Sequence, residues 1–310
     1  MRVASIHLYP VKSCHRVDVA SATVEACGLA GDRRLMLVDE QGRAVTQRTV
    51  PALALAHPRL VPAVAPASPV LSPVPSPGLA VAAARSGPAP VPDLRLAAPT
   101  RPDLGTLVVP LRDRGLVEVT VSRDTLKATP VGPAADGWFS RLLDRPVHLV
   151  WLDDPARRAV NPRYARPGDT VALADTMPVL LANTASLAAL NDLIARDGAG
   201  LIAQDGAGLD EPVPLTRFRP NPVVAGAPAW AEDAWVGRRL RIGAVVFRVP
   251  KGCDRCVLTT TDQETGVRTA QPLRALARHR TVDQKMYFGV HLIPDGTGVV
   301  STGDPVTLLD

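Results

Sequence analysis

Aromatic residues are scarce in this chain: Phe, Trp and Tyr together make up 4% of its 310 residues. Surfaces that stack nucleobases need such rings in groups, and the basic residues are scattered without a recognition helix or an RNA-binding signature. The formal charge of +5 therefore does not read as a nucleic-acid surface, and a positive cleft for a small phosphorylated ligand accounts for it equally well. No apolar run approaches the roughly 18 residues a membrane-spanning helix requires, so no membrane span is expected. Cysteine is rare too. Four unevenly placed cysteines, at 14, 27, 253 and 256, do not make the framework of a secreted disulfide-rich domain. The opening MRVASIHLYPVKSC has neither the apolar core nor the small-residue cleavage site of a secretory signal, and the expected compartment is the cytoplasm. Lysine is nearly absent: of 35 basic residues only Lys12, Lys127, Lys251 and Lys285 are lysines.

What is present is 46% hydrophobic and 21% charged, enough to bury a core of one large or two ordinary domains. The first 60 residues read as strands: RVASIHLYPV alternates, and RLMLVDEQGRAVTQ predicts a hairpin around Glu40-Gln41-Gly42. From Pro62 to Pro102 proline, alanine and serine dominate, which rules out a helix and makes a poor inner strand. This stretch is read as an exposed excursion between short strands. DGWFSRLLD predicts a helix with Trp138, Phe139, Leu142 and Leu143 on its apolar face. In the second half MPVLLANT reads as a buried strand. TASLAALNDLIARDG reads as a helix capped by Thr184 or Ser186 and ended by Gly198. Asp-Gly-Ala-Gly-Leu occurs at 197–201 and again at 205–209, a duplicated loop. RFRPNPVV, RRLRIGAVVFRVP, CVLTTTDQETGV and VVSTGDPVTLL are all strand-like, and the last GDPV resembles a turn that closes a β-barrel.

Two of the four cysteines lie three apart in KGCDRCVLTTTDQETG. A closed zinc site would need a second pair with ligand spacing, and neither the other cysteines nor the six histidines supply one. A dithiol redox pair opens a helix, whereas the β-branched residues after Cys256 make a poor helix start. That leaves two incidental thiols, or a single thiolate ligand at a strand edge with Arg255 beside it to favour the anion. A soft thiolate suits a soft or high-valent metal.

CDRCVLTTTDQETGV resembles the cysteine motif of the MOSC family. YPVKSC, GDRRLMLVDEQGRAVTQR, MPVLLANTASLAALN, RFRPNPVV and YFGVHLIPDGTGVVSTGDPV resemble, in the same order, the subgroup that carries an N-terminal MOSC domain. This resemblance implies a β-rich α+β fold: a smaller N-terminal MOSC-type α/β domain over residues 1–150, and a MOSC β-barrel with flanking helices over 151–310. The first 50 or so residues would contribute to the site. It also implies a molybdenum cofactor, a phosphorylated pyranopterin. Cys256 would be the molybdenum ligand and catalytic residue. Lys12, Ser13, Arg34, Arg219, Asn221 and Arg255 would contact the cofactor, with Asn183, Thr184 and Ser186 on a further contacting loop and Asp254 supporting the ligand. The residue types are suited to this work. Phosphate favours Lys, Arg and hydroxyl groups, a helix start such as Asn183 to Ser186 binds anions, and Asn221 can both donate to and accept from a pterin. Each has an ordinary alternative: Lys12 as a solvated strand-end charge, Arg34 as a surface ion pair, Asn221 as a turn former.

The implied activity is reductive removal of oxygen from small N-hydroxylated substrates such as amidoximes and hydroxylaminopurines. No run of cysteines for an iron–sulfur cluster occurs, so electrons would come from a separate reductase or ferredoxin-like partner. The alternative is a non-catalytic carrier of the cofactor or of persulfide sulfur on Cys256.

Overall fold

The structure is a computed structural model that describes residues 1–62, 92–198 and 211–310. Its largest sheet has nine strands. Along the sheet run Val17–Val19, Arg2–Leu8, Pro222–Ala225, Val179–Asn183, Lys285–Pro294, Val245–Asp254, Arg239–Ile242 and Val306–Leu308, with Thr281–Val282 added to Lys285–Pro294. The pairings are antiparallel except that of Val179–Asn183 with Pro222–Ala225, where helix α2, Thr184–Gly198, lies in the crossover that a parallel pair requires. A bridge from Arg2 to Pro305 and a 2.9 Å bond from the Val3 amide to the Asp304 carbonyl return the last strand to the first. The sheet thus closes on itself around Val3, Ile6, Leu181, Val224, Phe247 and Val290. A bulge between Val3 and Ser5 lets Val3 and Ile6, three positions apart, both face that core. At Gly289, with φ of 75°, an added Cβ would stand 2.6 Å from the Leu181 carbonyl oxygen, so only glycine lets these two strands approach.

The second core belongs to two smaller sheets and a helix. Five strands, Val117–Val121, Asp124–Pro130, His148–Trp151, Leu35–Val38 and Ala44–Val45, form one sheet; Arg59–Val61, Asp93–Leu96 and Leu107–Pro110 form the other. The predicted hairpin is present, with Leu37 opposite Val45. Helix α1, Pro133–Leu143, buries Trp138, Phe139 and Leu142 against Leu35, Leu37, Leu94 and Leu149, as its apolar spacing predicts. The fold is β-rich α+β with flanking helices, as expected. A cut near residue 150 separates the sheets only when the first strands go with the C-terminal unit, because Arg2–Leu8 and Val17–Val19 lie in the large sheet and Ser21–Glu25 pairs with Gly298–Ser301.

Three local expectations are corrected. Asp93–Leu96 is the middle strand of its sheet with Leu94 and Leu96 fully buried, so the end of the Pro62–Pro102 stretch is core and not an exposed excursion; residues 63–91 lie outside the described residues, as does most of the duplicated loop. Val257–Thr260 is a short 3-10 turn, not a strand. Thr259 and Thr260 donate their hydroxyls to the carbonyls of Cys256 (3.0 Å) and Val257 (2.7 Å), the local bonding by which threonine competes with a sheet ladder. Helix α2 is capped by Asn183, whose Oδ1 accepts from the Ala185 amide at 3.1 Å.

Val61 lies opposite Asp93 in an antiparallel pair, so the two chain ends that flank residues 63–91 are neighbours. Replacing 63–91 by a four-residue Gly/Ser turn should leave a cooperatively folded protein. Loop closure changes by only about 0.6 kcal/mol per twofold change in length, so the melting temperature should hold or rise by a few degrees. A melt that loses cooperativity would show that the segment packs against the fold.

Candidate functional site

A cavity of about 280 Å³ lies by the turn after the first strand, the loop at 174–177 and the end of Val245–Asp254, and Lys12, Ser13, Arg219, Asp254, Arg255 and Cys256 of the expected residues line it. Lys12 and Ser13 follow the first strand in a turn that Ser13 makes in the left-handed region, with φ of 67°. The Ser13 carbonyl accepts from Gln47 Nε2 at 2.7 Å. Lys12 is buried, and its Nζ donates to the Leu173 carbonyl at 2.8 Å and to Asp175 Oδ1 at 2.5 Å. Arg48 donates to the other oxygen of Asp175. Burial pulls Lys12 below the ordinary lysine range, against the attraction of Asp175. Burial works to raise Asp175, but Lys12 and Arg48 outweigh it and hold the carboxyl well below the usual range.

Arg219 ends a 3-10 turn, Leu215–Phe218, in the left-handed region. Its Nη1 donates to the Cys14 carbonyl at 2.8 Å and to Gln263 Oε1 at 2.9 Å. Its guanidinium stands 4.2 Å from the centre of the Tyr9 ring, and that of Arg33 stands 4.7 Å from the same ring. Burial lowers Arg219 to about 10 and pushes the Tyr9 hydroxyl up to about 12. The Tyr9 hydroxyl donates to the Pro220 carbonyl at 3.1 Å.

Cys256 is exposed and Cys253 buried. Arg255 does not serve Cys256: its Nη1 lies 2.7 Å from Cys253 Sγ and its Nη2 donates to the Phe218 carbonyl at 2.7 Å. Neighbouring residues on extended chain point to opposite sides, so the side chain next to Cys256 in sequence turns away from it. Burial opposes the charge of Arg48, and Asp175, with Cys256 a smaller contributor, raises it above the ordinary arginine range.

The other expected residues stand outside the cavity wall. Arg34 clamps the Leu152 and Asp153 carbonyls at 2.9 and 2.8 Å; Arg33, which takes the left-handed turn beside it, enters the cavity instead. Asn183 and Ser186 face the buried Glu232, Asn183 Nδ2 at 3.1 Å and Ser186 Oγ at 2.8 Å, so the acceptor at this helix start is the protein's own carboxyl group. Thr184 is exposed. Asn221 is fully buried and commits its amide to the protein: Nδ2 donates to the His7 carbonyl at 3.0 Å, and Oδ1 accepts from the Leu180 amide at 3.2 Å and from Arg33 at 3.0 Å.

Arg33, Arg48, Asp175 and His291 also line the cavity. Arg33 and Arg48 stand inside GDRRLMLVDEQGRAVTQR; nothing in the local sequence marks Asp175. His291 is 9% exposed, and its Nδ1 has no hydrogen-bond partner among the described residues. Burial, with Lys251 and Arg255 nearby, lowers its imidazole to about 3.

His57 is likewise lowered to about 4, by burial and by His15 stacked on it at 3.8 Å. An unfolded histidine titrates near 6.5. Between about pH 6.5 and 4 the unfolded chain therefore binds protons at these two sites that the folded chain does not, and stability falls as pH falls. Chemical denaturation at pH 7.5, 6 and 5 should show the midpoint dropping. His291→Gln and His57→Gln should each flatten the slope; slopes equal to the parent's would refute the neutral buried imidazoles.

Residues 1–146 match the family model for the MOSC N-terminal beta barrel domain, and residues 168–307 match the model for the MOSC domain. The human protein "Mitochondrial amidoxime-reducing component 1" is 31% identical over 99% of this chain and 82% of its own length. The human "Mitochondrial amidoxime reducing component 2" is 28% identical over 98% and 82%. A "Molybdenum cofactor sulfurase 2" of Culex quinquefasciatus is 27% identical over 94% of this chain, which spans 34% of that protein. The chain belongs to the MOSC family, in the group with an N-terminal MOSC β-barrel domain.

Proposed function

We propose that the cavity holds a molybdenum–pyranopterin cofactor and that the protein reduces N-hydroxylated compounds such as amidoximes, hydroxylamines and N-hydroxylated bases. One observation carries this reading. Lys12, Arg33, Arg48, Arg219 and Arg255 line the cavity against only Asp175 and Asp254, and Arg219 Nη2 and Arg255 Nε are buried without a partner among the described residues. An unmet buried donor costs about 1–3 kcal/mol, more when charged, and a phosphate or pterin oxygen would relieve it. The exposed Cys256 thiol at the rim is the soft donor that a high-valent metal takes.

In this reading Arg219 and Arg255 bind anionic oxygens of the cofactor. Lys12 and Arg48 set the positive field and Ser13 offers a hydroxyl. Cys256 is the metal ligand, with Arg48 next to its sulfur, and Asp254 supports the strand end that carries it. Asn221 and Arg34 act one step back, by fixing Arg33 and the loop at 152–153. The cofactor supplies two-electron redox chemistry at molybdenum. The overall reaction balances as R–NHOH + 2 H⁺ + 2 e⁻ → R–NH₂ + H₂O, with the electrons from a separate reductase or ferredoxin-like protein. The proposal includes the cytoplasmic setting expected from the sequence; no described helix is long and apolar enough to cross a membrane. The alternative role, a carrier of cofactor or persulfide sulfur, rests on the same exposed thiol, and a relative bears the printed name of a sulfurase.

Protein made in a host that synthesises the cofactor should contain molybdenum and reduce an amidoxime with an artificial electron donor. Molybdenum without turnover favours the carrier. Cys256→Ser should lower turnover by more than the roughly 10–100-fold that loss of an outer partner of a metal site costs. Cys253→Ser should keep its molybdenum; equal loss in both variants would mean a dithiol site.

Cofactor retention tests the cationic wall. A charge-assisted hydrogen bond contributes about 1.5–3 kcal/mol, roughly ten- to a hundredfold in affinity. Arg219→Ala should lose cofactor on dialysis to that degree and Arg219→Lys less; parent-like retention in both would remove Arg219 from the site.

A further inference from the structure

A serine, a histidine and an aspartate meet on the outer face of the large sheet. Ser5 and His7 lie two apart on Arg2–Leu8, so both side chains leave the strand on one face, while Ile6 between them enters the barrel core. Asp18 lies directly across from His7 in the antiparallel pair with Val17–Val19, where facing side chains start about 4.5–5.5 Å apart. The three are in contact in series: Ser5 Oγ with His7 Nε2 at 3.0 Å, and His7 Nδ1 with Asp18 Oδ1 at 2.6 Å. An ionised carboxylate only accepts, so Nδ1 carries the imidazole proton, Nε2 accepts and Ser5 donates. These residues do not line the cofactor cavity. Nor do they line a second cavity, of about 440 Å³, that shares Asp254 with the first and has Tyr164, Lys251, Gly252 and Tyr287 in its wall.

Each member is held in its own way. His7 is buried; its amide donates to the Asn221 carbonyl at 2.9 Å and its carbonyl accepts from Asn221 Nδ2 at 3.0 Å, so the ring has a fixed base. Ser5 is half-buried and stands at the register shift between Val3 and Ser5, an irregularity of the kind that re-aims side chains beside functional sites. Asp18 is exposed, and Arg16 Nε donates to the same Oδ1 at 3.2 Å, which steadies the carboxylate. Burial lowers the His7 imidazole below its ordinary range, against the pull of Asp18, so at pH 7 it is neutral and able to take a proton. The His7–Asp18 contact alone would tie the two strands; a hydroxyl on the far nitrogen adds nothing to that. A nucleophile within reach of a base that a third group orients is the arrangement that activates a hydroxyl.

We propose that Ser5, with His7 as its base, hydrolyses small acyl esters of phenols and thiols. Phenolate and thiolate are good leaving groups, which suits an open strand face better than alkyl esters or amides, whose cleavage demands enclosing oxyanion donors. Ser5 Oγ bonds to the acyl carbon and its proton passes to His7 Nε2. The bond from that carbon to the phenolic oxygen or thiol sulfur breaks, and the leaving group takes the proton from His7. Water repeats the transfer and frees Ser5. The sum is R–CO–X–R′ + H₂O → R–CO₂H + R′–XH, with X oxygen or sulfur and no electrons exchanged. Asp18 is a positioning residue: it fixes the tautomer of His7 and steadies the charge that forms there. The site shares no residue with the molybdenum reading, and neither depends on the other.

The test uses the full-length protein, a fluorophosphonate as covalent probe and p-nitrophenyl acetate as ester. The ester assay is run after treatment with iodoacetamide, which removes the exposed Cys256 thiol from the comparison. Mass spectrometry should show one phosphonyl adduct, mapped to Ser5, and the ester should turn over. Ser5→Ala should lose both. His7→Gln should slow labelling of Ser5 on the order of a hundredfold, within the range that a general base contributes. Asp18→Asn, on an exposed side chain, should slow labelling and move the midpoint of its pH profile to lower pH, because Asp18 raises His7. A merely structural Asp18 would change the melting temperature and leave that midpoint where it was. An adduct that maps only elsewhere, turnover that survives Ser5→Ala, or Ser5 labelling unchanged in Asp18→Asn and His7→Gln overturns the proposal. Ser5 labelling without ester turnover overturns the hydrolysis.

Discussion

A buried cation must find a partner, and Asp175 meets that requirement for Lys12 while also pairing the half-buried Arg48. Lys12 arrives from the turn after the first barrel strand and Arg48 from beyond the hairpin of the other unit; the two oxygens of one carboxylate take one each. The carboxylate is itself held in place. Arg158, buried to 4% exposure, donates to the Ala172, Ala174 and Asp175 carbonyls at 2.6, 2.5 and 3.1 Å, so the loop that carries Asp175 has little freedom. Positive charge can gather around the cavity because the carboxylate that pairs two of its cations is held in place.

Two of the remaining cations, Arg33 and Arg219, are set by backbone strain. Non-glycine residues in the left-handed region are uncommon, and Ser13, Arg33, Ser122 and Arg219 all adopt it and all line the cavity. Such residues cost on the order of 1–3 kcal/mol each and persist only where the surroundings over-determine them. Here they are over-determined. Arg33 is tied to Asp32, to Asn221 Oδ1 and to the Arg219 carbonyl, and Asp32 Oδ1 in turn accepts from the Tyr9 amide at 2.8 Å. Tyr9 then carries both guanidinium groups. Asn221, buried and bonded to three elements, is the joint of this assembly although it does not line the cavity.

The parts of the fold that were legible in the sequence are those with a period. Trp138, Phe139 and Leu142 follow a helical repeat, and RLMLVDEQGRAVTQ carries its turn in its middle. Leu94 and Leu96 alternate correctly as well, but proline-dense composition around them masked two residues' worth of signal. The threonine run after Cys256 has strand propensity, and its hydroxyls overrode it. At the site the residue types were legible and their directions were not. The choice between Arg33 and Arg34 depends on the left-handed turn, and Arg255, adjacent to Cys256 in sequence, meets Cys253 instead because neighbours on extended chain point to opposite sides. The helix start at Asn183 looked open to an anion only because Glu232, 49 residues later, was invisible from it.

One strand lines both cavities. Val245–Asp254 pairs with Lys285–Pro294 through two register shifts, between Arg248 and Lys251 and between Gly252 and Asp254. A regular strand would send Lys251 and Asp254, three positions apart, to opposite faces. The second shift turns both to the same cavity, while Cys253 and Cys256 line the other. Bulges re-aim side chains beside functional sites, and here the re-aiming places a cation, a glycine gap and a carboxylate within a few residues of the exposed thiol. Lys251 lies opposite His291 across the same pairing; Lys251 lines one cavity and His291, whose Nδ1 has no partner among the described residues, lines the other.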